Sequence, residues 1–133
     1  MHYAAGQVWK YHHRPSEDGS RLTILCIDTE PGYGNIVHIA VSGLAIRAPH
    51  APNGHIREMS HLPFAEDAID KSVTELVETL PEPPLSGGYA VWREAFDKGE
   101  AGVFTVPLGQ LVALTEQSIS QSAEPRVAAD GGA

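Results

Sequence analysis

All seven histidines of this 133-residue chain, at positions 2, 12, 13, 38, 50, 55 and 61, precede its most acidic stretch. Imidazole at that density invites metal ligation, acid–base catalysis or a charge that responds to pH. His50, His55 and His61, with Glu58, offer three nitrogens and a carboxylate, a donor set suited to zinc or iron. Their spacing matches no ligand signature such as H-E-x-x-H, so they form a candidate metal site without a motif, and no other cofactor is expected. His12 and His13 are adjacent on an extended segment, point to opposite faces and cannot chelate together.

Cys26 and His38 form a second constellation. A turn centred on Gly32 sets them opposite each other on neighbouring strands, with Asp28 two residues along. A cysteine needs such a base to become a thiolate near neutral pH. A mid-strand thiol is more simply a buried, inert one. A third set, Trp9, Tyr11, His38, Arg47 and Trp92, would line a ligand pocket on the sheet, with Arg47 placed at a strand end to receive a carboxylate or phosphate. Gly-rich phosphate loops, dinucleotide fingerprints and the G-x-S-x-G elbow are absent.

These residues require elements to hold them. The segment from Gly6 to His13 alternates as a strand does, Leu22 to Asp28 is a second strand, and Asn35 to Ile46 a third with a bend at Gly43. A turn centred near Glu17–Asp18, with Asp-Gly suited to a tight reversal, joins the first two and sets Trp9 near Cys26 and Tyr11 near Ile24. One face then carries Trp9, Tyr11, His13, Leu22, Ile24, Cys26, His38, Ala40 and Ser42. The other carries Val8, Thr23, Leu25, Ile27, Val37, Ile39 and Val41. Residues 47–63 are broken by Pro49, Pro52, Gly54 and Pro63 and read as a long loop, with a short strand near His55 to Met59.

Beyond Ala65 the period lengthens. Ile69, Val73, Leu76, Val77 and Leu80 fit one helix stripe, ended by Pro81. Tyr89, Trp92 and Phe96 share the face of a second helix from Gly88 to Lys98, capped by Ser86 and stopped by Gly99. Val103 to Val106 is a short edge strand. Thr105 caps a third helix that turns Leu108, Leu111, Val112 and Ile119 inward. The expected architecture is α+β: a bent antiparallel meander of three to five strands, open or curled towards a barrel, packed by about three helices. It occupies residues 1–120 as a single domain, with a tail at 121–133.

Composition narrows the function. Nine of the 17 acidic side chains, against three basic ones, lie in residues 65–100, which hold −6 of the total net charge of −8. That balance argues against nucleic acid, whose phosphates need clustered Lys and Arg. No apolar run is long enough for a membrane span, and no signal segment opens the chain. One cysteine cannot close an internal disulfide, which suits a cytoplasmic location. Glu66, Asp70, Glu75 and Glu78 would form an acidic helix face for a basic protein partner.

The stretch Gly6-Gln7-Val8-Trp9-Lys10-Tyr11 resembles the first strand of SH3-like toxin barrels. The proline-rich loop that follows there is missing, so no residue role or activity is transferred. That stretch and Trp92-x3-Phe96-x2-Gly99-x2-Gly102-Val103-Phe104 are also similar to segments of small bacterial proteins. The leading expectation is a non-enzymatic binding module of bacterial type, contacting a protein partner through its acidic helical face or its aromatic surface and compatible with a homodimer. The alternatives are a small metal-dependent or histidine-based hydrolase using the loop histidines, and a small-molecule sensor with a pocket on the sheet.

Overall fold

A computed structural model describes residues 3–83 and 87–123. Alternating sequence produces β1 (Gln7–Tyr11), β2 (Arg21–Glu30) and β3 (Gly34–Ser42), the meander expected. Two short strands follow, β4 (Ile46–Arg47) and β5 (His55–Ile56), paired as a separate ribbon. Then come β6 (Met59–Ala65), α1 (Glu66–Ser72), β7 (Val73–Thr79), α2 (Gly87–Asp97) and α3 (Leu108–Ala123). The main sheet is antiparallel and five-stranded in the order β6-β3-β2-β1-β7. It is open rather than closed into a barrel. This is the α+β arrangement that the sequence implied.

The turn between β2 and β3 sits where Gly32 (φ 84°) and Gly34 (φ 72°) supply left-handed backbone, and Cys26 faces His38 as expected. The link between β1 and β2 differs. Trp9 pairs with Leu22 instead of Cys26, because Pro15–Glu17 form a turn of 3-10 helix in place of a tight Asp-Gly reversal. Glu17 anchors that turn: it is 2% exposed, takes two hydrogen bonds from Arg14 at 3.0 and 2.9 Å, and accepts the Ala45 N–H at 2.8 Å.

A bulge between Ile24 and Cys26 then reverses the faces of β2. Leu22 and Ile24 consequently join Trp9, Tyr11, Val37, Ile39 and Val41 in one core, completed by Phe64, Ile69, Leu108 and Val112 from β6, α1 and α3. The expected division, with Trp9, Tyr11, Leu22 and Ile24 beside His38, is therefore corrected: one extra residue moved half a strand to the other side.

The long helix expected over residues 65–80 is also corrected. Only its first half is helical, ending at Ser72, and Val73–Thr79 form the strand that covers the outer edge of β1. Val73, Thr74, Val77 and Thr79 are β-branched, which favours extended backbone where a neighbouring strand is available. Within the region read as a loop, Met59–Ala65 is an edge strand. Pro63 is tolerated there, opposite His38, because an edge position does not need every N–H.

Phe104 makes a single parallel bridge to Phe64, the remnant of the expected edge strand. The N–H of Leu108 at the start of α3 donates to buried Ser72 Oγ at 2.9 Å. Gly99 (φ 74°) lies just past the end of α2, in the left-handed conformation expected for the stop. The expected Ser86 cap and the tail beyond Ala123 lie outside the described residues. No helix among those residues is long and apolar enough to cross a membrane.

Candidate functional site

The sheet face opposite the main core carries a line of polar groups drawn from three strands. β2 supplies Asp28, β3 His38 and β6 His61, and α2 lies over them. His38 is fully buried. Its Nε2 lies 3.0 Å from Asp28 Oδ2, and its Nδ1 lies 2.9 Å from His61 Nε2. The two imidazole rings are nearly parallel, with an interplanar angle of 19°.

Elementary donor accounting fixes the protons. The ionised Asp28 carboxylate can only accept, so His38 Nε2 carries a hydrogen and donates it. The Nδ1 of neutral His38 then holds a lone pair, which accepts the Nε2–H of His61. That leaves His61 Nδ1 as the free acceptor of the chain, on a residue that is partly exposed. Burial lowers the basicity of both rings. His38 is pushed below the ordinary imidazole value by desolvation and in part restored by Asp28. His61 is lowered to about 4 by burial and by its neighbour His38.

Aromatic side chains from α2 enclose the chain. Tyr89 and Trp92 meet the His38 ring edge-on at centroid distances of 4.8 and 4.7 Å. Tyr89 Oη donates to Asp28 Oδ2 at 2.9 Å, and burial together with that bond holds the phenol protonated. Trp92 Nε1 donates to the Gly102 carbonyl at 2.9 Å, and its ring stacks on Phe96. Arg93 closes the end of the helix by donating to Glu30 at 2.8 Å and Asp97 at 2.8 Å, with its nearest nitrogen 3.6 Å from Asp28. A surface hollow of about 270 Å³ opens further along β3 and β6, and none of Asp28, His38, His61, Tyr89 and Trp92 lines it. It is lined by Ala40, two residues from His38 on the same strand face, and by Ser60, next to His61, as well as Thr23, Ser42 and Met59.

The candidates from the sequence are distributed unevenly. His38 and Trp92 are brought into contact. Trp9 and Tyr11 lie in the main core, where Trp9 packs on Tyr3 and Tyr11 hydrogen-bonds Ser20. Arg47 and His55 are paired across β4 and β5 beside Glu116, around a separate hollow of about 440 Å³. His50 is exposed, His55 contacts the Asn53 carbonyl and His61 bonds to His38, so the three proposed metal ligands sit in three different environments. Among the described residues no group of three or more His, Cys, Asp or Glu side chains is placed to hold a metal ion.

The acidic set is divided as well. Glu66 and Asp70 lie on α1, where they meet Asn35 and Tyr3, whereas Glu75 and Glu78 lie on β7. Cys26 is half-buried, and burial followed by the Asp28 charge raises its pKa, which disfavours the thiolate. Arg93 and Glu30 belong to no motif that points to this site. The one signal for Arg93 was its place beside Trp92, four residues before Asp97.

No protein-family model, curated protein or solved structure matches this chain, so the functional reading rests on the site itself.

Proposed function

We propose that this protein is a non-enzymatic binding module that recognises a small planar ligand offering a hydrogen-bond donor. His61 Nδ1 is the acceptor, and the surface beside Tyr89 and Trp92 is the platform. The observation that carries this reading is the two-step hydrogen-bond chain from Asp28 through His38, which holds one acceptor atom in a fixed tautomer and orientation. Such pre-organisation favours binding, because little ordering is left to be done when the ligand arrives.

The basicity of the site argues for recognition over proton transfer. A general base works best when its pKa lies near the working pH, and His61 lies well below neutrality. A nucleophilic cysteine needs a lowered pKa, and that of Cys26 is raised. The test is a thermal-shift and amide-NMR screen with fragments that carry N–H or O–H donors on flat rings. Ligands that stabilise the fold should perturb Tyr89 and the Trp92 indole, and should lose their effect in His61→Phe. A screen without hits, or hits unaffected by His61→Phe, would overturn the assignment.

A further inference from the structure

Among the described residues no strand pairs with the outer edge of β7. β7 ends the sheet, bonded to β1 on one side, and residues 74–79 are exposed throughout. Among the described residues no backbone hydrogen bond outside the β1 ladder involves them. Such an edge presents a row of free N–H and C=O groups that an extended segment can complete.

Its side chains read Glu75-Leu76-Val77-Glu78. Leu76 and Val77 are 43% and 42% exposed, with Val77 the extra residue of a bulge against β1, so the edge carries a short exposed apolar patch. Glu75 is mostly solvent-exposed and lies 3.5 Å from Lys10.

We infer that β7 receives an extended basic peptide segment by antiparallel strand addition, with Lys or Arg flanking two apolar residues. The charge pattern selects this occupant. Antiparallel pairing centred on Leu76 and Val77 puts one residue of the incoming strand opposite Glu75 and another opposite Glu78. Basic residues there form two cross-strand ion pairs, and apolar residues between them cover Leu76 and Val77. A second copy of this chain in the same register would set Glu75 against Glu78 twice, which repels. This surface is separate from the His61 site and does not depend on it.

The experiment uses the full chain and a ten-residue peptide with Lys-Val-Ile-Lys at its centre and Thr and Ser at its ends. The expected result is slowed amide exchange at residues 74–79, binding that weakens about tenfold or more in Glu75→Lys/Glu78→Lys, and affinity that falls with salt. The same peptide with Glu-Val-Ile-Glu should bind the double variant and not the parent. Absence of exchange protection at millimolar peptide, equal binding of both peptides to the parent, or perturbations centred on Tyr89 and Trp92 would each overturn the inference. So would a parent protein that dimerises through β7 in solution.

Discussion

Lowering the pH should loosen this fold through His61. In the folded state His61 is lowered from the ordinary 6.5 to about 4, and His38 is lowered as well. An unfolded chain therefore binds more protons than the native one between these limits, and stability falls as pH drops through 6.5, levelling below about 4. At about 1.4 kcal/mol per pKa unit, the loss due to His61 has a ceiling of about 3 kcal/mol, of which about 2 kcal/mol is reached by pH 5. Because the ring keeps part of its surface in water, about 1 to 2 kcal/mol is the expected reading.

The groups that face the pair are Asp28 on β2, Tyr89 and Arg93 on α2, and Cys26 beside His38. Of these, Asp28 opposes the loss and the positive Arg93 adds to it. Urea unfolding at pH 7.5 and pH 5 measures the difference, and His61→Gln supplies the control. Its amide still donates to His38 Nδ1 but does not titrate, so its stability should change less over the same interval. Equal pH dependence in the two proteins would show that His61 is not the group responsible, as would a His61 ring that titrates near 6.5 by NMR.

Other consequences follow from the same contacts. Asp28→Asn should weaken the docking of α2 by about 1 to 3 kcal/mol, since His38 Nε2 and Tyr89 Oη lose a charged acceptor; urea unfolding followed by Trp92 fluorescence reads it. Glu17→Ala removes the bidentate partner of Arg14, which keeps Glu116, and leaves the Ala45 N–H unbonded; it should cost about 1 to 3 kcal/mol by the same method. Gly6→Ala should destabilise by about 1 to 3 kcal/mol in thermal unfolding, because φ is 94° and a Cβ would come within 2.4 Å of the Leu80 carbonyl oxygen. Cys26 should react with a thiol reagent more slowly than a free cysteine at pH 8, since burial and Asp28 both disfavour its thiolate; a rate equal to that of free cysteine would contradict that environment.

What the sequence made legible was local. The two glycines of the β2–β3 turn fix the pairing of Cys26 with His38, and from that the approach of Asp28 could be anticipated. Tyr89, Trp92 and Phe96 at helical spacing gave the face of α2, though nothing in that spacing says that it covers imidazoles. His61 was visible as a histidine but not as a partner of His38. Pro63 made its strand look like loop, and only pairing with β3 forms an edge strand there.

The helix–strand switch at Ser72 was hidden for a related reason. A stripe at threes and fours and an edge strand of β-branched residues are both consistent with Val73 and Val77, and the open side of β1 decides between them. The bulge after Ile24 leaves no mark in composition, yet it separates Trp9 and Tyr11 from the face that carries His38.

Nitrogen-15 NMR of the histidine side chains at neutral pH decides whether Asp28 and His38 hold His61 as a neutral acceptor. His38 and His61 should both be neutral and both protonated at Nε2, with a scalar coupling across the His61 Nε2–H to His38 Nδ1 hydrogen bond. A proton found on Nδ1 of either ring, or two rings averaging freely between tautomers, would contradict it.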